Sequence, residues 1–303
     1  MHPTATIDLK NRSLRVPHAL SATVVTGPDK LRSGFGNGDC LLMDAPRGVF
    51  AVADASERHP RASRRLLTRL HKILVRQDSD TDPGSLANRL EEAYTQQKYT
   101  HKSTLSGIAL SHTAGQVTIH LFHGGDSMVM VVHADDGRIL LSTRPDMNFA
   151  GRIRQGVGVS SHTFSTDIPL RVILATDGFG EILKALQVPD GPKQSQRTSS
   201  LLKELVRAPL QDMEKRVRHL MESDPGRPFH DDIAVMVLDP AIMKRLPRLA
   251  LTMGGTSPRQ EAAFARNVDH GWPEPELTDD LWQDHTDVLR TAGIRFLPDG
   301  ADK

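Results

Sequence analysis

One cysteine, Cys40, two tryptophans and two tyrosines are all that this 303-residue chain holds of those three residue types. A lone cysteine excludes an internal disulfide framework, and an aromatic content of 4% argues against a base-stacking surface for nucleic acid. Charge of one sign is also lacking. Lys and Arg number 38 against 37 Asp and Glu, so no global field draws the chain to nucleic acid or to an anionic membrane. No apolar run approaches the ~18 residues of a membrane span. The opening Met1-His2-Pro3-Thr4-Ala5-Thr6 lacks the apolar core of a signal peptide. These absences point to a soluble, cytoplasmic protein without nucleic-acid or membrane partners. The chain shows no internal repeat or low-complexity segment, and it is long enough for one large domain plus an appendage.

What the sequence does hold is a set of aspartates at strand ends. Arg171-Val172-Ile173-Leu174-Ala175-Thr176-Asp177-Gly178 reads as a strand buried on both faces, closed by an Asp-Gly turn. Val49-Phe50-Ala51-Val52-Ala53-Asp54 repeats that pattern, and the alternating run 117–122 leads to Gly125-Asp126-Ser127. Asp231 and Asp232 come before the strand 233–238. Antiparallel neighbours set the start of one strand beside the end of the next, so these carboxylates can meet at one sheet edge. Crowded together they would repel and raise one another's pKa unless a cation sits among them. No Cys or His is built into the motifs, which leaves hard oxygen ligands suited to Mg²⁺ or Mn²⁺ rather than structural Zn²⁺. Such ions lower the pKa of bound water and clamp both oxygens of a phosphoryl transfer, so the implied chemistry is metal-assisted phosphoester hydrolysis.

Taken in order, Phe50-Ala51-Val52-Ala53-Asp54, Ser103-Thr104-Leu105-Ser106-Gly107, Gly125-Asp126-Ser127, Leu174-Ala175-Thr176-Asp177-Gly178 and Asp231-Asp232-Ile233-Ala234-Val235 resemble the motif series of the metal-dependent (PPM, type 2C) serine/threonine protein phosphatases. The resemblance implies an α+β fold, a four-layer α-β-β-α sandwich of two antiparallel sheets flanked by helices. It further implies that Asp54, Asp177 and Asp231 are the catalytic residues holding two central ions, with the backbone carbonyl of Ala55 helping, and that Asp126 serves a third. Asp39, in Asn37-Gly38-Asp39, matches the family's acidic second-layer residue. Where many members carry a phosphate-gripping Arg, this chain has Gly34. Arg32 is a candidate substitute, against the alternative of a solvated side chain. Ser56 stands at the position of a histidine that protonates the leaving group in some members, and His59 is either its replacement or a loop residue without a role.

Periodicity supplies the remaining expectations. Residues 1–18 read as a ragged, polar N-terminus, with the first strand at 22–25 and the phosphatase domain spanning 19–240. Leu66, Leu67, Leu70, Ile73 and Leu74 predict an amphipathic helix whose other face carries Arg64, Arg65, Arg69, Lys72 and Arg76. Leu86, Leu90, Ala93 and Tyr94 predict a second, capped by Ser85. Strands are expected at 103–111, 116–122, 127–134 and 138–142, with turns at Ala114-Gly115 and Asp135-Asp136-Gly137. Residues 143–168 show no sustained period; the resemblance implies a variable flap over the site there, and it carries Arg144, Arg152 and Arg154. Helical patterns at 201–206 and 210–221 would form the second outer layer. Residues 241–303 read as a helical extension packed on the domain, with helices near 258–268 and 278–292. The functional expectation is a Mn²⁺- or Mg²⁺-dependent phosphatase with two or three ions, acting on phosphoserine or phosphothreonine in a phosphoprotein. The alternative is a pseudophosphatase adaptor that binds phosphoproteins without turnover.

Overall fold

Strand β11 (Leu170–Ala175) is apolar at consecutive positions because it has a core on each side. Val172 and Leu174 face a central cluster between two sheets, while Ile173 and Ala175 face an outer cluster. Strand β12 (Ile233–Leu238) divides in the same way, with Ala234, Met236 and Leu238 inward and Ile233, Val235 and Val237 outward. A strand covered on both faces has no polar side, and its sequence loses the alternation that marks a half-exposed strand.

The computed structural model describes residues 5–8, 13–27, 37–56, 59–76, 83–95, 102–150, 157–185, 205–206, 217, 219, 231–242, 250–256 and 294–297. Its first sheet has eight strands in the order β14-β1-β2-β3-β12-β11-β8-β9. The members besides β11 and β12 are β1 (Ala5–Asp8), β2 (Ser13–Val16), β3 (Leu20–Val25), β8 (Met128–His133), β9 (Ile139–Ser142) and β14 (Ile294–Leu297). The second has six, in the order β10-β7-β6-β5-β4-β13. These are β4 (Cys40–Asp44), β5 (Val49–Ala53), β6 (Leu105–Thr113), β7 (Gln116–Gly124), β10 (Gly158–Ser165) and β13 (Ala250–Gly254). All described pairings are antiparallel except that of β1 with β14 at one edge.

Two helices, α1 (Ala62–Arg76) and α2 (Pro83–Thr95), cover the six-stranded sheet. Leu66, Leu67, Leu70, Leu74, Leu90 and Tyr94 pack there on Cys40, Leu42, Ala51 and Ala53. Helix α3 (Asp177–Ala185) covers the eight-stranded sheet through Phe179, joined by Leu205, Val206 and Val217. The expected four-layer α-β-β-α sandwich is therefore present, with three apolar layers between its four structural ones.

Several local expectations are corrected. Residues 1–18 are not simply ragged, since 5–8 and 13–16 form β1 and β2, where Ile7, Leu14 and Val16 are buried. Each strand is only four residues long, too short for alternation to stand out. The stretch 143–168 contains β10, which pairs with β7 in an unbroken register from Gly158↔His123 to Ser165↔Gln116. Its sequence carries no apolar period because much of it is exposed. Helix α2 starts at Pro83, placing Ser85 inside the first turn rather than at the cap. Within 241–303, Ala250–Gly254 and Ile294–Leu297 are strands. β13 pairs with β4 and β14 with β1, so the extension adds an edge strand to each sheet. The expected helices near 258–268 and 278–292 and most of those at 201–221 lie outside the described residues, as do Arg32, Gly34, Arg152 and Arg154.

Candidate metal centre

Each candidate carboxylate is delivered by a different part of the sandwich. β5 is buried at every position, and Asp54 is the first residue beyond it. The backbone there is fixed by Thr104. Asp54 N–H donates to Thr104 Oγ1 at 2.7 Å, and Thr104 N–H donates to the Asp54 carbonyl at 2.8 Å. Asp126 lies where the chain crosses from β7 in one sheet to β8 in the other. Gly125 makes that crossing with φ of 102°, and a Cβ there would lie 2.7 Å from Thr104 Cγ2, so only glycine fits. Thr104 Oγ1 and Ser127 Oγ share a hydrogen bond of 2.6 Å, which ties the Asp126 crossing to the Asp54 strand.

Asp177 is not in a turn, as its Asp-Gly sequence suggested, but opens helix α3. A Cβ at Gly178 would lie 2.2 Å from the carbonyl oxygen of Asp232. The glycine is thus dictated by close backbone approach between α3 and the start of β12. Asp231 stands at that start, its Oδ1 accepting the N–H of Asp232 at 2.9 Å. Oxygens of Asp54, Asp126 and Asp177 lie within 4.8 Å of one another, and all three side chains are partly exposed. Asp231 and His59 fall outside that mutually close set, although the charge of Asp231 acts on both Asp54 and Asp177. His59 contributes backbone bonds to the turn before α1, accepting from Ala62 N–H at 2.9 Å and donating to the Ser56 carbonyl at 2.8 Å. Ser56 is exposed.

Two further aspartates form the floor. Asp232 accepts the N–H of Gly27 at 2.8 Å and that of Gly38 at 2.7 Å, so it fastens the segment carrying Asp39 to the start of β12. Asp39 is buried and receives a short hydrogen bond from the Thr176 hydroxyl. It also bonds side chain to side chain with Asp54. Thr176 in turn accepts Ala234 N–H at 2.9 Å. Local sequence patterning gives Thr176, Thr104 and Ser127 no prominence as site residues. Their one signal is a hydroxyl next to a candidate ligand or its strand end.

Burial first, then the neighbouring carboxylates, raises the pKa of Asp39, Asp54 and Asp177. Desolvation lifts Asp39 well above its ordinary value, followed by the charges of Asp54, Asp232 and Asp177. Desolvation and then Asp177 do the same to Asp54. Asp177 is pushed to about 6, by desolvation, then Asp231, Asp126 and Glu181. No cation figures among these influences. An all-carboxylate cluster whose members raise one another's pKa fits a hard divalent ion, which would supply positive charge among them.

A family model described as Stage II sporulation protein E (SpoIIE) matches residues 51–240, more than half of the chain. The chain belongs to the SpoIIE family. The matched span of this SpoIIE-family chain takes in Asp54, Asp126, Asp177 and Asp231, while Asp39 lies before it. Among solved structures, it is similar to PppA of Pseudomonas aeruginosa, described as a key regulatory component of T6SS. The two share 15% identity over 74% of this chain and 98% of that one, with a TM-score of 0.51. It is also similar to the SiaA-PP2C domain of Pseudomonas aeruginosa, at 14% identity over 72% and 85% with a TM-score of 0.50. Both similarities are of fold, and they agree with the type 2C phosphatase sandwich that the motif order implied. No curated protein sequence matches this chain.

Proposed function

We propose that this SpoIIE-family chain is a metal-dependent protein phosphatase that hydrolyses phosphoserine or phosphothreonine esters of a cytoplasmic phosphoprotein. The observation that carries the reading is the convergence of Asp54, Asp126 and Asp177, brought from both sheets to within 4.8 Å, where burial and neighbouring carboxylates raise Asp177. In this reading Asp54, Asp177 and Asp231 hold two Mn²⁺ or Mg²⁺ ions, the Ala55 carbonyl assists, and Asp126 serves a third. When bound, such ions supply a water of lowered pKa and a positive field for the phosphoryl oxygens. The chain's own residues do the positioning. Asp39 hydrogen-bonds the Asp54 carboxylate, and Thr104 holds the Asp54 backbone, so the ligand presents a fixed geometry.

Phosphoryl transfer depends chiefly on placement and charge stabilisation, so these groups can sustain turnover without a dedicated phosphate-gripping Arg. Hydrolysis of an aryl phosphate and of a phosphoserine peptide, each with and without Mn²⁺, tests the reading. Metal-dependent turnover with a high KM is expected, lost in Asp54→Asn and Asp177→Asn. Phosphoprotein binding without turnover in the wild type would instead make the chain an adaptor.

A further inference from the structure

Among the described residues the outer edge of the six-stranded sheet is formed by β10, and the strand itself carries no acidic, lysine, proline or bulge guard against pairing. Across Gly158-Val159-Ser160-Ser161-His162-Thr163-Phe164-Ser165 there is no Lys, Asp, Glu or Pro, and the register with β7 contains no bulge. Gly158, Ser160, Ser161 and Thr163 are exposed. Edge strands of this length and polarity are templates for an added strand unless charge, proline or a bulge blocks them.

Beside this edge the two sheets part to leave a cleft of about 650 Å³. Leu121 and Leu141 give it apolar walls, while His123, Asp146 and Ser160 supply polar groups. Leu121 belongs to the central core and Leu141 packs against it, so the cleft is rooted between the sheets. Three of the five large exposed apolar residues among those described sit close by in sequence, Ile139 at 47%, Leu140 at 37% and Met147 at 66% exposed. Exposed apolar residues clustered next to a cleft are a common feature of interaction surfaces.

Hydrogen bonds tie the cleft lining to the Asp126 crossing. Asp146 Oδ1 accepts the N–H of Gly125 at 2.7 Å and that of Asn148 at 2.8 Å, while Gly125 accepts Asp146 N–H at 2.8 Å. A cleft-lining residue is therefore bonded to the residue next to Asp126. His123 Nδ1 meets Ser106 Oγ at 2.8 Å, and Ser106 Oγ donates to the Ser127 carbonyl at 3.0 Å, a second link to the same crossing.

We propose that the β10 edge and this cleft bind an extended segment of the phosphoprotein substrate, which adds as a strand to the six-stranded sheet and seats an apolar side chain in the cleft. This rests on the hydrolase reading. Main-chain pairing with β10 supplies affinity that is indifferent to sequence, and the apolar pocket supplies selectivity for a residue flanking the phosphoserine. The same binding energy holds the ester beside Asp126, which an aryl phosphate cannot exploit.

The test uses the full chain and two substitutions at exposed positions, Ser160→Trp to fill the cleft and Leu140→Glu to charge its flank. Mn²⁺-dependent kinetics are compared on an aryl phosphate and on a phosphoserine-peptide library varied around the phosphoserine. KM for the best peptides should rise about tenfold or more, with aryl phosphate hydrolysis unchanged. Parallel losses on both substrates, or no change on either, would overturn the proposal. If the wild type turns over neither substrate, the hydrolase reading fails on its own terms. Fluorescence anisotropy of labelled phosphopeptides then decides the groove, with weaker binding in Ser160→Trp supporting it and equal binding overturning it. A substitution that merely converts a dimer to a monomer in sedimentation, with peptide kinetics unaltered, would show that β10 pairs with a second copy and would also overturn it.

Discussion

The Thr176 hydroxyl donates to Asp39 Oδ2, and this one bond joins the two sheets beneath the carboxylate cluster. Thr176 comes directly after β11 of the eight-stranded sheet, and Asp39 precedes β4 of the six-stranded one. Because Thr176 Oγ1 also accepts Ala234 N–H, the same side chain holds β11 to β12. Thr176→Val keeps the shape and removes both bonds, leaving buried polar groups unsatisfied. Stability should fall by about 1–3 kcal/mol in urea titration. Mn²⁺ affinity should fall with it, and Thr176→Ser should restore both.

Acid should compete with metal. Burial and neighbouring charge lift Asp177 to about 6, and Asp39 and Asp54 are raised as well. Protons therefore occupy the site in mildly acidic solution, and binding must displace them. Calorimetry should show Mn²⁺ affinity rising with pH through this region, with proton release. An affinity independent of pH would contradict the carboxylate cluster as the binding site.

The same shifts fix the sign of the metal-free protein's pH dependence. Raised aspartate pKa values mean that the folded state holds more protons than the unfolded state between the ordinary value of 3.8 and about 6. Stability without metal should fall as pH rises through that window, and the loss should remain at pH above it. Thermal melts across pH, with and without Mn²⁺, check this. Added Mn²⁺ should recover stability on the alkaline side of the window, where the carboxylates are ionised.

Gly178→Ala sets a methyl group against the Asp232 carbonyl, at a site where 2.2 Å is available. The start of α3 must shift. A stability loss of about 1–3 kcal/mol is expected, accompanied by weaker Mn²⁺ binding because Asp177 moves with the helix. A variant that melts and binds like the wild type would contradict the close approach.

Removing residues 241–303 should affect both the fold and the site. β13 contributes the buried Leu251 and Met253 to the central core, and Gly255 N–H and Thr256 Oγ1 brace the Asn37–Asp39 segment through the carbonyls of Asp39 and Asn37. The truncated chain should melt at lower temperature and bind Mn²⁺ more weakly. Intact metal affinity after truncation would show that the bracing is dispensable.

Much of the site was legible in the sequence because a strand buried on both faces can carry an aspartate only at its end. β5 and β11 announce themselves by unbroken apolar runs, and Asp54 and Asp177 are the first carboxylates beyond them. Those runs could not reveal the conformation of the chain beyond Asp177. The same Asp-Gly begins a turn or a helix depending on whether another backbone lies against the glycine, and here that backbone is residue 232, distant in sequence.

Strand β10 was illegible for the opposite reason. Periodicity records burial, and an exposed edge strand rich in Ser and Thr has little burial to record. β1, β2, β13 and β14 were similarly hidden, being short and stabilised by partners far along the chain. By itself the sequence determined where β5, β11 and β12 end and which carboxylates stand there, because these follow from local apolar patterning, while the layers were implied by the resemblance of the motif order. Which carboxylates converge, which of the two adjacent aspartates Asp231 and Asp232 fastens backbone, and which strands lie at the sheet edges among the described residues were decided only by tertiary structure. Those outcomes depend on pairings between residues far apart in the chain, such as Gly27 with Asp232, and no local pattern encodes them.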